Sequence, residues 1–288
     1  MVRAKKSMEN RRIYTPKSQI LNPVKLLLSI VSDLKRSHFL AWRLLDRDIS
    51  SKYRQTMTGY LSAILPPVVT AVIFIILNKA SILNVSETSI PYPVFVVTGT
   101  LVWDLFMTAI NAPLNELQTN RSLLVRISFA KEALILTSLG QILFNFLIKA
   151  AILIGILFFF KVDVSSHCVL VILPVMTIVT LGVLIGLFLT PVSFLFQDIR
   201  QAITMLFSLL MYVSPVAYPL PKTGIIGVVG KYNPFAYTMD LFRNLLFTEK
   251  YDFIGITLII FVVSFFLLLV TLVLFRISIP YLVERMDA

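Results

Sequence analysis

The stretch from Thr137 to Phe160 reads TSLGQILFNFLIKAAILIGILFFF. It has one charge, Lys149, in 24 residues. At 1.5 Å per helical residue it reaches about 36 Å, enough to cross a hydrocarbon core of roughly 30 Å. Its apolarity is continuous, without the two-residue alternation of a membrane strand. This stretch therefore reads as a transmembrane helix. Five further stretches have the same character: Tyr60–Asn78, Pro93–Pro113, Val169–Thr190, Ile203–Pro219 and Ile254–Phe275. Within all six the charged residues are Asp104 and Lys149, and the other 39 of 41 charges lie outside. The expected fold class is all-α integral membrane, with six spans.

The whole-chain composition follows from that interleaving. Of the 288 residues, 57% are hydrophobic and 14% charged, with a mean hydropathy of +0.86. So few charges exclude a soluble globule and a disordered chain. The net charge of +11 marks a membrane topology and argues against a nucleic-acid partner. Counted by segment, 19 Lys and Arg fall on the side that holds both termini, and six on the other. Half of all the basic residues precede Tyr60. Both termini are therefore expected in the cytoplasm, with an even number of crossings. The first 59 residues have no apolar segment of signal-peptide type.

Residues 1–24 read as a flexible basic arm. Residues 25–59 read as an interfacial region too charged to span. There Trp42, Leu45, Ile49 and Tyr53 share a helical face, and Arg43, Arg47 and Arg54 point elsewhere. The alternative is a solvated helix packed on the membrane domain. In the cytoplasmic connector, Leu123, Leu124, Val125 and Ile127 cluster among Arg121, Arg126 and Lys131. That pattern predicts a short helix within 119–132 whose aliphatic side chains need a partner. Between the fifth and sixth spans, residues 220–250 carry short apolar pieces bounded by Gly and Pro, which predicts an external re-entrant hairpin. Residues 276–288 read as a cytoplasmic tail.

Catalytic chemistry is sparse. His38 and His167 fall on opposite sides of the membrane, and the lone Cys168 reads as an inert buried thiol. No metal site is expected. The glycine-rich stretch from Gly224 to Lys231 fails as a phosphate loop, because Tyr232 stands where Ser or Thr must bind Mg²⁺. Asp104 with Asn111, and Lys149 with Asn145, are too few for a proton relay. Gly182 and Gly186 form a small-xxx-small pair suited to close helix packing. Aromatics at the span edges are interface anchors or pore-lining groups that stack on sugar rings.

Several motifs carry a family resemblance over about residues 20–275. They are Arg47-Asp48-Ile49, Lys52-Tyr53-Arg54-Gln55-Thr56 and Gly59-Tyr60-Leu61 at the start of the first span. Pro91-Tyr92-Pro93-Val94-Phe95, with Gly99 and Trp103, stands at the start of the second. Phe196-Gln197-Asp198-Ile199-Arg200 precedes the fifth. Ser214-Pro215-Val216-Ala217-Tyr218-Pro219 and Asn233-Pro234-Phe235, with Arg243, follow. The set resembles the membrane permease of type-2 ABC exporters, in the polysaccharide (O-antigen, lipopolysaccharide-type) export branch. The sequence departs from that family at Phe129-Ala130-Lys131, where Phe-Pro-Arg is usual, and at Phe196-Gln197-Asp198, where Tyr-Arg-Asp is usual.

The resemblance implies a homodimeric channel in a bacterial inner membrane, with two copies of a separate ATPase subunit. ATP and Mg would sit on that subunit, with no cofactor in this chain and no enzymatic activity of its own. Arg121, Leu123, Leu124, Val125, Arg126 and Phe129 would couple to the ATPase. Arg43, Arg47 and Arg54 would face the phosphate of a lipid-linked polysaccharide. Tyr60, Phe74, Phe207, Tyr212 and Tyr218 would line the pore, and Asn233, Pro234, Phe235 and Arg243 would form an external gate. Capsule and teichoic acid permeases share this pattern. The rival from another class is an ion-coupled carrier with no ATPase.

Overall fold

The computed structural model describes residues 23–54, 58–80, 90–126, 129–219, 224–248 and 250–287. The described residues are helices and their connections, with no strand among them. The basic arm lies almost wholly outside them. So do the side chains of Tyr53, Arg54, Tyr60, Val125 and Arg126.

Among the described residues ten α-helices run in order: α1 Pro23–Arg54, α2 Thr58–Lys79, α3 Tyr92–Thr119, α4 Arg121–Arg126, α5 Glu132–Phe160, α6 Ile172–Leu195, α7 Gln197–Leu210, α8 Gly224–Tyr232, α9 Pro234–Phe247 and α10 Ile254–Asp287. Short 3₁₀ turns at Cys168–Val171 and Met211–Val213 precede α6 and follow α7. Four segments among the described residues are long and apolar enough to cross a membrane: Tyr92–Thr119, Glu132–Phe160, Cys168–Leu195 and Ile254–Leu282. Large apolar side chains stand on the outside, Phe158 and Phe159 more than four-fifths exposed. Water would not tolerate such a surface, and lipid requires it.

α3 is the buried axis of the bundle. It packs most extensively on α6, then on α5 and α2, while α6 also packs along α10. Two glycines set the α3–α6 distance. A Cβ on Gly186 would stand 2.3 Å from the Ile110 carbonyl oxygen, and one on Gly182 would stand 2.5 Å from the Ala109 Cβ. The small-xxx-small pair thus lets two backbones meet.

Three local readings are corrected. The fifth apolar stretch, expected over Ile203–Pro219, is helical from Gln197 to Val213 and breaks at Ser214. Pro215 lacks an N–H and drives the preceding Ser214 into an extended conformation (φ −94°, ψ 153°). The helix starts early because Phe196 is extended and Asp198 in the first turn suits the positive helix end. The expected tail after Phe275 is helical as far as Asp287 and continues through Pro280. Cys168 is exposed, where a buried thiol was expected. It opens the 3₁₀ turn at the end of a short loop, and nothing in the sequence marks its side.

The face of α1 that carries Trp42 is turned away from the bundle, and another stripe packs inward. The buried residues are Ile30, Asp33, Ser37, Ala41 and Leu44, again at helical spacing. Phe39 and Trp42 remain 62% and 67% exposed. Leu45 reaches inward, its Cδ2 lying 2.5 Å from where a Cβ on Gly140 would stand. The helix thus packs its small and polar stripe on α5 and turns two aromatics outward, as an interfacial helix requires.

Candidate functional site

The structure gathers the expected site residues at two ends of the bundle, with an ion pair between them. At the end of the bundle that holds the start of α3, the break after Val213 frees backbone carbonyls inside the protein, which must find donors. Arg243 on α9 supplies them. Its Nη1 donates to the Pro215 carbonyl at 2.7 Å, and its Nη2 donates to Val216 at 2.6 Å and to Phe95 at 3.1 Å. The guanidinium also lies over the Phe95 ring, 3.5 Å from its centroid. Arg243 therefore ties α9, the start of α3 and the exit of α7 into one knot. The knot closes around Gly99, where a Cβ would lie 2.0 Å from the Val216 oxygen and 2.5 Å from Nη2. Asp240, one turn before Arg243 on α9, is its nearest acidic neighbour. Burial raises the Asp240 carboxyl above its usual range, and Arg243 opposes that rise.

Asn233 fixes how α9 begins. Its side chain accepts from the Phe235 N–H at 3.0 Å, as an N-cap, and donates to the Ser214 hydroxyl at 3.0 Å. Pro234 occupies the first helical position, where its missing N–H costs nothing. Phe235 is buried edge-on against Trp103 (4.9 Å) and packs on Phe106 (5.2 Å). All four expected gate residues thus serve one junction.

Three of the expected pore aromatics stand close by. Phe74 is buried 6.2 Å from the ring of Tyr212, Tyr212 is largely exposed, and the Tyr218 hydroxyl donates to the Tyr212 carbonyl. Phe207 lies deeper, 6.2 Å from Phe106.

At the opposite end, near the start of α5, a hydrogen-bonded cluster joins α1, α3, α4 and α5. Arg47 pairs with Asp48 at 2.7 Å and donates to the Asn120 side chain at 2.9 Å. Asn120 donates to Glu116 at 2.7 Å, and Gln141 donates to Glu116 at 2.8 Å and to Asp48 at 3.1 Å. The Asn120 carbonyl accepts from the N–H groups of Leu123 and Leu124, both at 3.0 Å, and so opens α4. One buried asparagine therefore carries α4 on its backbone and α1 on its side chain.

The connector residues divide by face. Leu124 is buried in the bundle core, and Leu123 and Phe129 pack partly against it. Arg121 and Ser122 face outward, the Arg121 guanidinium lying 5.6 Å from the Phe194 ring centroid. Leu123 and Leu124 thus find their partners within the protein, while the Val125 side chain and Ile127 lie outside the described residues. The expected phosphate-facing arginines separate too: Arg43 is exposed over Phe39 at 5.2 Å, whereas Arg47 is engaged in the cluster.

A second tie at this end has no counterpart in the sequence reading. Arg276 of α10 pairs with Asp33 of α1 at 2.7 Å and with Glu132 at the start of α5 at 2.9 Å. Glu116 and Asn120 carry no signal because they lie in the polar run 115–122, where nothing sets them apart, and Gln141 and Arg276 are single polar residues within or beside apolar stretches. The signal for Asp33 and Asp48 was their helical spacing with Ser37, Ala41 and Leu44.

Between the two ends, Lys149 of α5 pairs with Asp104 of α3 at 2.6 Å and donates to Thr108 at 2.9 Å. The two intramembrane charges are thus one neutral pair. No group of three or more His, Cys, Asp or Glu side chains suited to a metal ion occurs among the described residues.

Comparison with known proteins adds the following. Residues 40–247 match the family described as ABC-2 type transporter. The chain is similar to an O-antigen export system permease protein RfbA from Myxococcus xanthus, 23% identical over 195 residues, spanning 67% of this chain and 74% of that one. Two RfbA permeases from Klebsiella pneumoniae are 24% identical over 221 residues and 23% identical over 240 residues. These alignments span 73% and 80% of this chain, and 82% and 88% of the relatives.

Proposed function

The chain belongs to the ABC-2 type transporter family, and on that premise we propose that it is the transmembrane subunit of an ATP-driven exporter of a lipid-linked polysaccharide of O-antigen type. The observation that carries the proposal is the tie of α4 to α1 through Asn120 and Arg47. It gives a force applied at the cytoplasmic connector a bonded route into the bundle. The names of the three similar permeases support the cargo.

In this reading α2 and α7 join the four long apolar helices as crossings, six in all, with both termini in the cytoplasm of a bacterial inner membrane. Two copies enclose the path, and each takes one copy of a separate ATPase subunit, where ATP and Mg are held. The outward face of α4, at Arg121 and Ser122, meets that subunit. Helices α8 and α9 form the external gate, and Arg243 fixes their position against α3. Phe74, Tyr212 and Tyr218 form an aromatic lining at the outer mouth, offering the weak stacking that a sliding glycan needs. Arg43, exposed beside Phe39 and Trp42, suits the phosphate of the lipid carrier at the inner interface. Lys149 and Asp104, the two charges within the six apolar stretches, are spent on each other, which disfavours an ion-coupled carrier.

The test is purification from the native membrane. A stoichiometric ATPase subunit is expected, whose ATP hydrolysis drives lipid-linked O-antigen across a proteoliposome membrane. Arg121→Glu should leave the permease assembled and weaken that coupling. Cargo movement with no ATPase present would overturn the reading in favour of a carrier.

A further inference from the structure

We infer that the inner half of α3 carries a water-filled polar track along which a hydroxyl-rich glycan strand moves. The inference deepens the exporter reading and rests on it. Asp104, Thr108, Asn111 and Asn115 recur at spacings of four, three and four, so at 3.6 residues per turn they fall within about 60° of arc on one face. They extend from the middle of the 28-residue helix towards its cytoplasmic end. The face opposite is apolar and buried against α6 through Phe106, Ala109 and Ile110.

Two helices flank the polar face. On one side α5 presents Lys149 to Asp104 and Thr108. On the other, α7 presents Thr204, which donates to the Asn111 side chain at 3.1 Å, and Arg200, which donates to Asn115 at 3.0 Å. No extensive packing joins α5 to α7, so the polar face is the floor of a groove between them. Asp104 keeps 36% of its side chain accessible, and Thr108, Asn111 and Thr204 are half-buried.

Lipid is the wrong solvent for that groove. An accessible carboxylate and unshared amide and hydroxyl lone pairs at this depth are costly against hydrocarbon and occur where they face water or protein. Carboxamides and hydroxyls donate and accept, as sugar hydroxyls do. Each contact here is exchangeable with a hydroxyl of the cargo, because partners of that kind replace one another at small net cost. The neutral Lys149–Asp104 pair adds hydrogen-bonding capacity without a net charge that would hold a phosphate. The track thus offers a sugar chain hydrogen-bond donors and acceptors along its length, with the Arg200 cation beside Asn115 at its cytoplasmic end.

The experiment uses the permease with its ATPase subunit in nanodiscs. Cys168→Ser removes the chain's single cysteine. Asn111→Cys, Thr108→Cys and Thr204→Cys are then introduced singly. Leu143→Cys, on the apolar outer face of α5 and 58% exposed, is the control. The probe is a sulfonated, membrane-impermeant methanethiosulfonate. Thiols in water ionise and react, while thiols against lipid do not, so the track positions should label at least about tenfold faster than Leu143→Cys. Lipid-linked glycan extracted from the source strain, with ATP, should slow the labelling, and the carrier lipid alone should not. Labelling as slow as the control overturns the track and leaves the exporter reading standing. Fast labelling that glycan leaves unchanged, in a complex that exports it, overturns the glycan as occupant. A complex that labels fast and moves no glycan overturns the exporter reading and with it this inference.

Discussion

The two ends of this bundle are held by different chemistry. At the outer end, the fully buried Arg243 bonds three backbone carbonyls, those of Phe95, Pro215 and Val216. At the inner end, Arg47, Asp48, Glu116, Asn120 and Gln141 bond one another by side chains, several of them partly exposed. Backbone acceptors cannot rotate away, so the outer knot fixes α3, α9 and the exit of α7 as one body. Side chains can exchange partners at small cost, so the inner cluster suits a joint that shifts. The proposed exporter, driven by an ATPase at one face, needs that asymmetry: compliance where force enters, and stiffness where the far ends must move together.

Breaking the outer knot should give the largest effect. Arg243→Met leaves the buried carbonyls of Pro215 and Val216 without donors, at about 1–3 kcal/mol each, and removes a second donor from Phe95. Gly99→Ala should act on the same knot from the other side, since its methyl group would overlap the Val216 oxygen. Overpacking of that kind costs about 1–3 kcal/mol. Fluorescence-detected thermal unfolding in detergent should show both variants destabilised, with Arg243→Met the worse. Because both break one junction, the double variant should lose less than the two single losses combined. Full additivity would mean that Gly99 and Arg243 serve separate contacts.

Most of the fold was legible because continuous apolarity over about 20 residues admits few other readings in lipid. The junction at Asn233, Pro234 and Phe235 was legible as a motif, since Asn before Pro is a helix start with a physical cause. The helix break was not, because a run from Ile203 to Pro219 looks uniform in hydropathy while Pro215 acts through the backbone. The outward face of α1 was legible from Trp42, whereas the stripe buried on α5 was not, because Ser37 and Ala41 weigh little in any count of apolarity. Arg276, Asp33 and Glu132 come together from chain positions about a hundred residues or more apart, and no local pattern announces such an encounter.

The inner cluster should respond in function more than in stability. Asn120→Ala removes the side-chain link from Arg47 to α4 and leaves its backbone carbonyl to open that helix. Asn120 also bonds Glu116, so some stability is lost, of the order of 1 kcal/mol. Export per ATP hydrolysed should fall about tenfold, which corresponds to about 1.4 kcal/mol of lost coupling. Parallel assays of phosphate release and glycan translocation separate the two quantities. A proportional fall in both would assign Asn120 to assembly instead of transmission, and the contrast between a stiff and a compliant end would lose its inner half.

The smallest effect is expected at Tyr212, beside the stiff end but outside the knot. Its ring is 57% exposed and meets Phe74 at 6.2 Å, while Tyr218 is held by the Tyr212 backbone carbonyl. Tyr212→Ala therefore deletes a stacking surface and keeps the hydrogen bond that positions its neighbour. Thermal stability should change by less than about 1 kcal/mol, because little buried area is lost. Glycan export should slow severalfold, as one stacking step is worth about 0.5–1.5 kcal/mol between aromatic rings. Tyr212→Phe should restore the rate, since the hydroxyl has no part in stacking. If alanine and phenylalanine export equally fast, Tyr212 is an anchor at the bilayer edge, and the outer end contributes rigidity alone.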